Sequence, residues 1–103
     1  MRKLIATLAI VCLLSLGAAA ALAATKSVAW KKPTSVTVKI HKGDTVRWVW
    51  SDSRQHNVRG PGLSSSFSSK KGHVVSKRFK SKGTFKYICD VHSTTMKTVV
   101  KVG

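Results

Sequence analysis

The segment Ile88-Cys89-Asp90-Val91-His92-Ser93-Thr94-Thr95-Met96 places a thiol, an imidazole and a thioether within one short loop. Thiolate, imidazole and thioether are soft donors, so the loop has the chemistry to hold a soft metal ion. The set gains weight from scarcity. The chain has two cysteines and two methionines, and Met1 and Cys12 fall within its first 23 residues, leaving Cys89 and Met96 alone beyond that point. At this level zinc, copper and plain burial of a small apolar thiol all remain compatible with the loop.

The N-terminus decides what becomes of Cys12. Arg2-Lys3, an apolar run from Leu4 to Leu16 and the small-residue tract Gly17 to Ala24 make the three-part pattern of a secretory signal peptide. Ala21 and Ala23 satisfy the small-x-small rule, so cleavage is expected after Ala23, dividing the chain into a signal peptide (1–23) and a single domain (24–103). The apolar run is short for a membrane span and lacks a charged stop-transfer cluster, so no stable membrane insertion is expected once it is removed. The product is then exported, to a periplasm or to the extracellular space, as a monomer with Cys89 as its sole thiol. No intramolecular disulfide can form, which leaves a metal as the reinforcement that small domains often need.

Charge is the other global signal. Nineteen Lys and Arg stand against three acidic residues, Asp44, Asp52 and Asp90, for a formal net charge of +16, and the chain contains no glutamate. Such a surface attracts anions at long range. The partners expected are an acidic redox protein or an anionic envelope surface; export argues against nucleic acid. A solvated coat without a docking role would give the same composition.

Stepping outward from the loop, the apolar residues alternate. Val36, Val38 and Ile40, then Val46, Trp48 and Trp50, then Phe85, Tyr87 and Cys89 each recur with period two, the mark of half-buried strands. Further strands are expected over Lys26–Trp30, His56–Arg59, His73–Lys80 and Lys97–Val102. Turn signals at Lys32-Pro33-Thr34, Lys42-Gly43-Asp44, Gly60-Pro61-Gly62, Lys71-Gly72 and Lys82-Gly83 separate them. The pattern predicts an all-β fold, an antiparallel sandwich or small barrel. The serine-rich stretch from Gly60 to Lys71 reads as a surface loop pinned to the core by Phe67. The three tryptophans read as core or site-shielding residues, and His41 and His73, at lysine-flanked turns, as solvated surface groups.

A trigonal plane of two histidines and one cysteine with a weak axial thioether suits copper in both of its oxidation states. Cys89, His92 and Met96 supply three of those donors, and a second histidine must come from His41, His56 or His73. His56 is followed by Asn57 and sits just past the tryptophan-bearing strand. The run Gly43-Asp44-Thr45-Val46-Arg47-Trp48, then His56-Asn57-Val58, then Gly83-Thr84-Phe85-Lys86-Tyr87-Ile88-Cys89-Asp90-Val91-His92, then Met96 and Val99-Val100-Lys101-Val102 resembles the plastocyanin-like cupredoxins, the small type 1 blue copper proteins that include plastocyanin, amicyanin and pseudoazurin. The resemblance covers Thr34 to Val102. It implies a small antiparallel Greek-key β-sandwich and one copper ion held by His56, Cys89, His92 and Met96. It also implies that Asn57 ties the two ligand loops together, with one hydrogen bond reaching the cysteine sulfur. Departures from the family pattern are Ser93 where proline is frequent and Thr98 where glycine is frequent. Asp90 could either bond across to the Asn57 loop or face solvent.

The function implied is that of an exported one-electron carrier cycling between Cu(I) and Cu(II), not an enzyme. Copper oxidases built from such domains carry additional His-x-His or His-Cys-His patterns, and none occurs here. The alternative is an envelope protein that binds copper for scavenging or delivery. A metal-free cationic module would leave the Cys89, His92 and His56-Asn57 arrangement unexplained.

Overall fold

In the computed structural model, which describes residues 22–103, the alternating segments form eight strands. They are β1 (Thr25–Trp30), β2 (Thr34–Ile40), β3 (Thr45–Trp50), β4 (Arg59–Gly60), β5 (Leu63–Ser64), β6 (Val74–Arg78), β7 (Gly83–Ile88) and β8 (Met96–Val102). One sheet has the order β1-β3-β6 and the other β2-β8-β7-β4-β5. No helix is present among the described residues, and so none is long and apolar enough to cross a membrane. The proposed signal peptide lies almost wholly outside the described residues, as does Cys12.

The period-two pattern puts one face of each central strand inside. Val46, Trp48 and Trp50 of β3 are buried, as are Met96, Thr98, Val100 and Val102 of β8, while Lys97 and Lys101 between them are exposed. The two inner faces meet through aromatic rings: Trp48 of the first sheet lies 5.2 Å from Tyr87 of the second, and Phe79 packs on Tyr87 at 5.8 Å. Each buried indole N–H has an acceptor, which keeps the desolvation cost low. Trp30 Nε1 donates to the Asn57 carbonyl, Trp48 Nε1 to Thr98 Oγ1 across the sheets at 3.2 Å, and Trp50 Nε1 to the Ser68 carbonyl.

The sandwich is all-β, and its internal pairings are mixed. β1 runs parallel to β3 and β2 parallel to β8, whereas β3–β6, β7–β8, β4–β5 and β4–β7 are antiparallel. The parallel pairs arise because consecutive strands cross between sheets: β1 and β3 share one sheet, and the intervening β2 belongs to the other. At the β2–β3 crossing, Asp44 is the knot. One carboxylate oxygen accepts from the His41 N–H and the other from the Ala24 N–H, both at 2.9 Å. Gly43 takes φ +94° there, a backbone region that side chains resist.

Three expectations need correction. Phe67 does not pin the serine-rich segment, since it is 51% exposed; that segment is held instead by paired backbone hydrogen bonds between Ser68 and His56 and by the β4–β5 ribbon. His73 is half-buried with its ring edge-on to Trp50 at 4.8 Å, rather than freely solvated, while His41 is exposed as expected. The strand expected over His56–Arg59 is reduced to β4 preceded by the isolated His56–Ser68 bridge. β4 lies very close to β7: a Cβ at Gly60 would overlap the Lys86 carbonyl oxygen and come within 2.5 Å of the Tyr87 ring.

Candidate metal centre

The inward alternation Phe85, Tyr87 of β7 continues one residue past the strand, so Cys89 points into the core and is fully buried. Its N–H faces the Met96 carbonyl at 3.4 Å, which closes the loop between β7 and β8. Inside the loop the N–H groups of Thr95 and Met96 both donate to the His92 carbonyl at 2.9 Å. This tight turn leaves His92 half-buried and returns the chain to the core at Met96, which is fully buried at the start of β8.

His56 arrives from the other sheet, on the loop after β3. Its backbone is fixed by the Ser68 bridge and its ring is fully buried, packed against Trp50 at 6.0 Å. His56 Nδ1 lies 3.8 Å from Cys89 Sγ, and the rings of His56 and His92 lie 5.3 Å apart in an edge arrangement. The structure therefore brings His56 and Cys89 into contact and sets His92 beside them. It leaves His41 in the β2–β3 turn and His73 behind Trp50. Among the described residues no three His, Cys, Asp or Glu side chains form a ready-made cluster.

Two carboxylates surround these donors, and both were unassigned by sequence. Asp90 bonds across to the facing loop: its N–H donates to Asn57 Oδ1 at 2.8 Å, and Asn57 Nδ2 donates to its carboxylate at 2.7 Å. Arg59 clamps the same carboxylate through Nε at 2.8 and 2.9 Å and Nη2 at 2.7 Å. Hydrogen bonds from Arg59 and then Asn57 hold the Asp90 carboxyl below its ordinary range. Both side-chain bonds of Asn57 go to Asp90, not to sulfur; the tie between the loops thus runs through the residue next to the cysteine.

The other carboxylate, Asp52, accepts from His56 Nε2 at 2.6 Å. Partial burial opposes its ionisation, but hydrogen bonds from His56 and from the N–H groups of Lys32 and Arg54 more than offset this, and its carboxyl is held below its ordinary value. An ionised carboxylate can only accept, so Nε2 carries the proton, and Nδ1, the atom nearest Cys89, is the nitrogen left to offer a lone pair to a metal ion. The sequence signal for this contact was an aspartate four residues before the histidine in one loop. Arg59 carried no signal, because its role depends on β4 passing beside Asp90.

His92 is tuned differently. Desolvation, then the positive charge of nearby Lys32, pushes its pKa below the ordinary imidazole value, so the ring is predominantly neutral at pH 7. Its Nε2 is buried without a hydrogen-bond partner. A buried, unpartnered imidazole nitrogen beside a buried thiol is costly unless a further group satisfies it. A soft metal ion fits that need, and the donor chemistry suits copper.

Comparison with known proteins agrees. The family model for copper binding proteins of the plastocyanin/azurin family matches residues 22–103. This chain belongs to that family. Among solved structures, this cupredoxin is similar to an oxidised variant of amicyanin (27% identity, TM-score 0.65, covering 79% of this chain and 82% of that one). It is similar also to the Cu(I) form of a second amicyanin variant (28% identity, TM-score 0.64, covering 79% and 82%). A purple cupredoxin from Nitrosopumilus maritimus shares 25% identity with a TM-score of 0.60, over 65% of this chain and 77% of that one. Comparison with curated protein sequences finds no match. The cupredoxin assignment carries one copper ion with it as cofactor.

Proposed function

We propose that this cupredoxin is an exported one-electron carrier whose copper is held by His56, Cys89, His92 and Met96. The observation that carries the reading is the contact between His56 Nδ1 and the buried Cys89 thiol, with the orphaned Nε2 of His92 beside it. The bound ion would supply a one-electron couple between Cu(I) and Cu(II). The chain's own contribution is to hold the donors still. His56 is anchored by Ser68 and Asp52, Cys89 by its strand and by the Asn57–Asp90 tie, and Met96 by β8. A cage that changes little between oxidation states keeps the reorganisation small, and no residue here is required to make or break a substrate bond.

Half-buried His92 is the donor nearest solvent and so the exit route for the electron; the other three are fully buried. Lys32 and Arg54 lie near enough to depress its pKa. Together with the net charge of +16 they would steer an acidic partner to this end, with a rate that falls as salt rises. Residues 1–23 would direct export and be removed, leaving 24–103 as the working domain.

The test is to prepare residues 24–103, add Cu(II), and record visible and electron-paramagnetic spectra beside a Cys89→Ser variant. An intense thiolate-to-copper band that disappears in the variant is expected. A colourless protein with weak, non-stoichiometric copper uptake would overturn the metal assignment. Stopped-flow oxidation of an acidic donor at rising ionic strength then separates a steered carrier from a passive copper store.

A further inference from the structure

Of the donors, His56 alone has its second ring nitrogen engaged by a side chain. Its Nε2–H reaches Asp52 Oδ1 at 2.6 Å, while His92 Nε2 has no partner. The carboxylate is itself held from two directions: Oδ1 also accepts from the Arg54 N–H at 3.1 Å, and Oδ2 accepts from the Lys32 N–H at 3.2 Å. Asp52 is thus attached to the β1–β2 turn as well as to its own loop, and it is a fixed charge rather than a swinging side chain. Its side chain is 25% exposed, whereas the ring it holds is 0% exposed, so the bond lies at the boundary between solvent and the centre.

We infer that Asp52 is a positioning residue for the copper ligand His56 and lowers the reduction potential of the centre. The inference rests on the copper reading given above. Two effects combine in one contact. The hydrogen bond fixes the tautomer and ring plane, so that the Nδ1 lone pair is directed toward the space beside Cys89 Sγ, 3.8 Å away. The negative charge draws the Nε2 proton outward and makes Nδ1 a stronger donor, as carboxylate–histidine pairs do at other metal sites. A stronger, more negative donor favours the ion of higher charge, hence Cu(II) over Cu(I). The ring that faces His56, that of His92 at 5.3 Å, carries no negative charge in either protonation state and does not supply this.

A role limited to stapling loops would predict loss of stability and nothing more. Asp52→Asn separates the two, because it keeps the size and an oxygen acceptor while removing the charge. In the copper-loaded chain this variant is expected to keep its thiolate band and raise the potential by an amount equal to an about tenfold weaker preference for Cu(II) over Cu(I), or about 59 mV for a one-electron couple. Asp52→Glu should return part of that shift. The metal-free protein gives an independent reading: nitrogen-15 spectra of His56 should show the proton on Nε2 in the wild type. An unmoved or lowered potential in Asp52→Asn with a normal blue spectrum would overturn this inference and leave the carrier reading intact. A His56 proton on Nδ1 in the metal-free protein would do the same, and a wild type that forms no copper band would overturn both.

Discussion

Replacing Gly60 by alanine tests whether the second sheet is built as closely as it looks. A Cβ at this position would stand within 2.5 Å of the Tyr87 ring and overlap the backbone oxygen of Lys86. Ordinary carbon contacts begin near 3.4 Å, so β4 and β7 must part by about 1 Å, a fifth of the roughly 4.8 Å between paired strands. Neither neighbour can yield cheaply. Tyr87 is fully buried, packed on Trp48 and Phe79, and its hydroxyl donates to the Pro61 carbonyl at 2.6 Å. Overpacking of this kind costs about 1–3 kcal/mol, and loss of the tyrosine hydrogen bond about 1 more. The total, about 2–4 kcal/mol, is a large share of the roughly 4–12 kcal/mol available to a domain of this size. Urea unfolding of the metal-free chain should show a lower midpoint with an unchanged m-value, and a Tm depressed by roughly 10–25 °C. Because β4 joins β7 through the single pair Arg59–Ile88, the displaced strand should also loosen Arg59 from Asp90 and accelerate copper loss. Adding Tyr87→Leu should recover little, since the Lys86 carbonyl remains. Stability within about 0.5 kcal/mol of wild type, the range of an ordinary surface change, would refute the reasoning.

Other outcomes follow from the same contacts. Thr98→Val strands the fully buried Trp48 N–H and should cost about 1–3 kcal/mol in denaturant titration, with the colour of the copper form retained. Asp44 has a folded-state pKa lowered by hydrogen bonds from the N–H groups of Ala24 and then His41. Its contribution is therefore present above the unfolded carboxylate value near 3.9 and is lost as pH falls below it, so Asp44→Asn should flatten the acid limb of the stability curve below about pH 4. Met96→Leu should leave copper bound and shift its potential, as measured by voltammetry. His73→Ala should keep the blue colour; its loss would place the second histidine ligand wrongly.

The sequence made some of this readable and hid the rest for definable reasons. Period-two runs located β3 and β7 because their alternate residues face the core, and the same alternation carried Cys89 inward; β2 shows the pattern too, although its Val36 is exposed. Alternation records which face is buried but not which strand lies alongside, so the parallel β1–β3 and β2–β8 pairs were invisible. β4 and β5 have two residues each, too few to show a period. Phe67 was misplaced because an aromatic residue in a polar loop signals burial only if the loop lacks another anchor, and here Ser68 and His56 provide one. In the metal centre, the donor types could be read directly, whereas the contacts of Asp52, Asp90 and Arg59 depend on how three loops converge.

The aspartates also govern how freely this sequence can change. Asp44 joins the β2–β3 turn to the strand at Ala24, Asp52 grips His56, and Asp90 links Asn57 with Arg59. With no glutamate in the chain, every acidic side chain it possesses is committed to a joint. Random loss of an acidic residue thus always strikes structure or the metal centre, while most of the lysines lie exposed on outer faces and can be exchanged one at a time. Net charge can therefore change readily through the lysines and hardly at all through the aspartates, so relatives should differ widely in net charge while keeping Asp44, Asp52 and Asp90 in place.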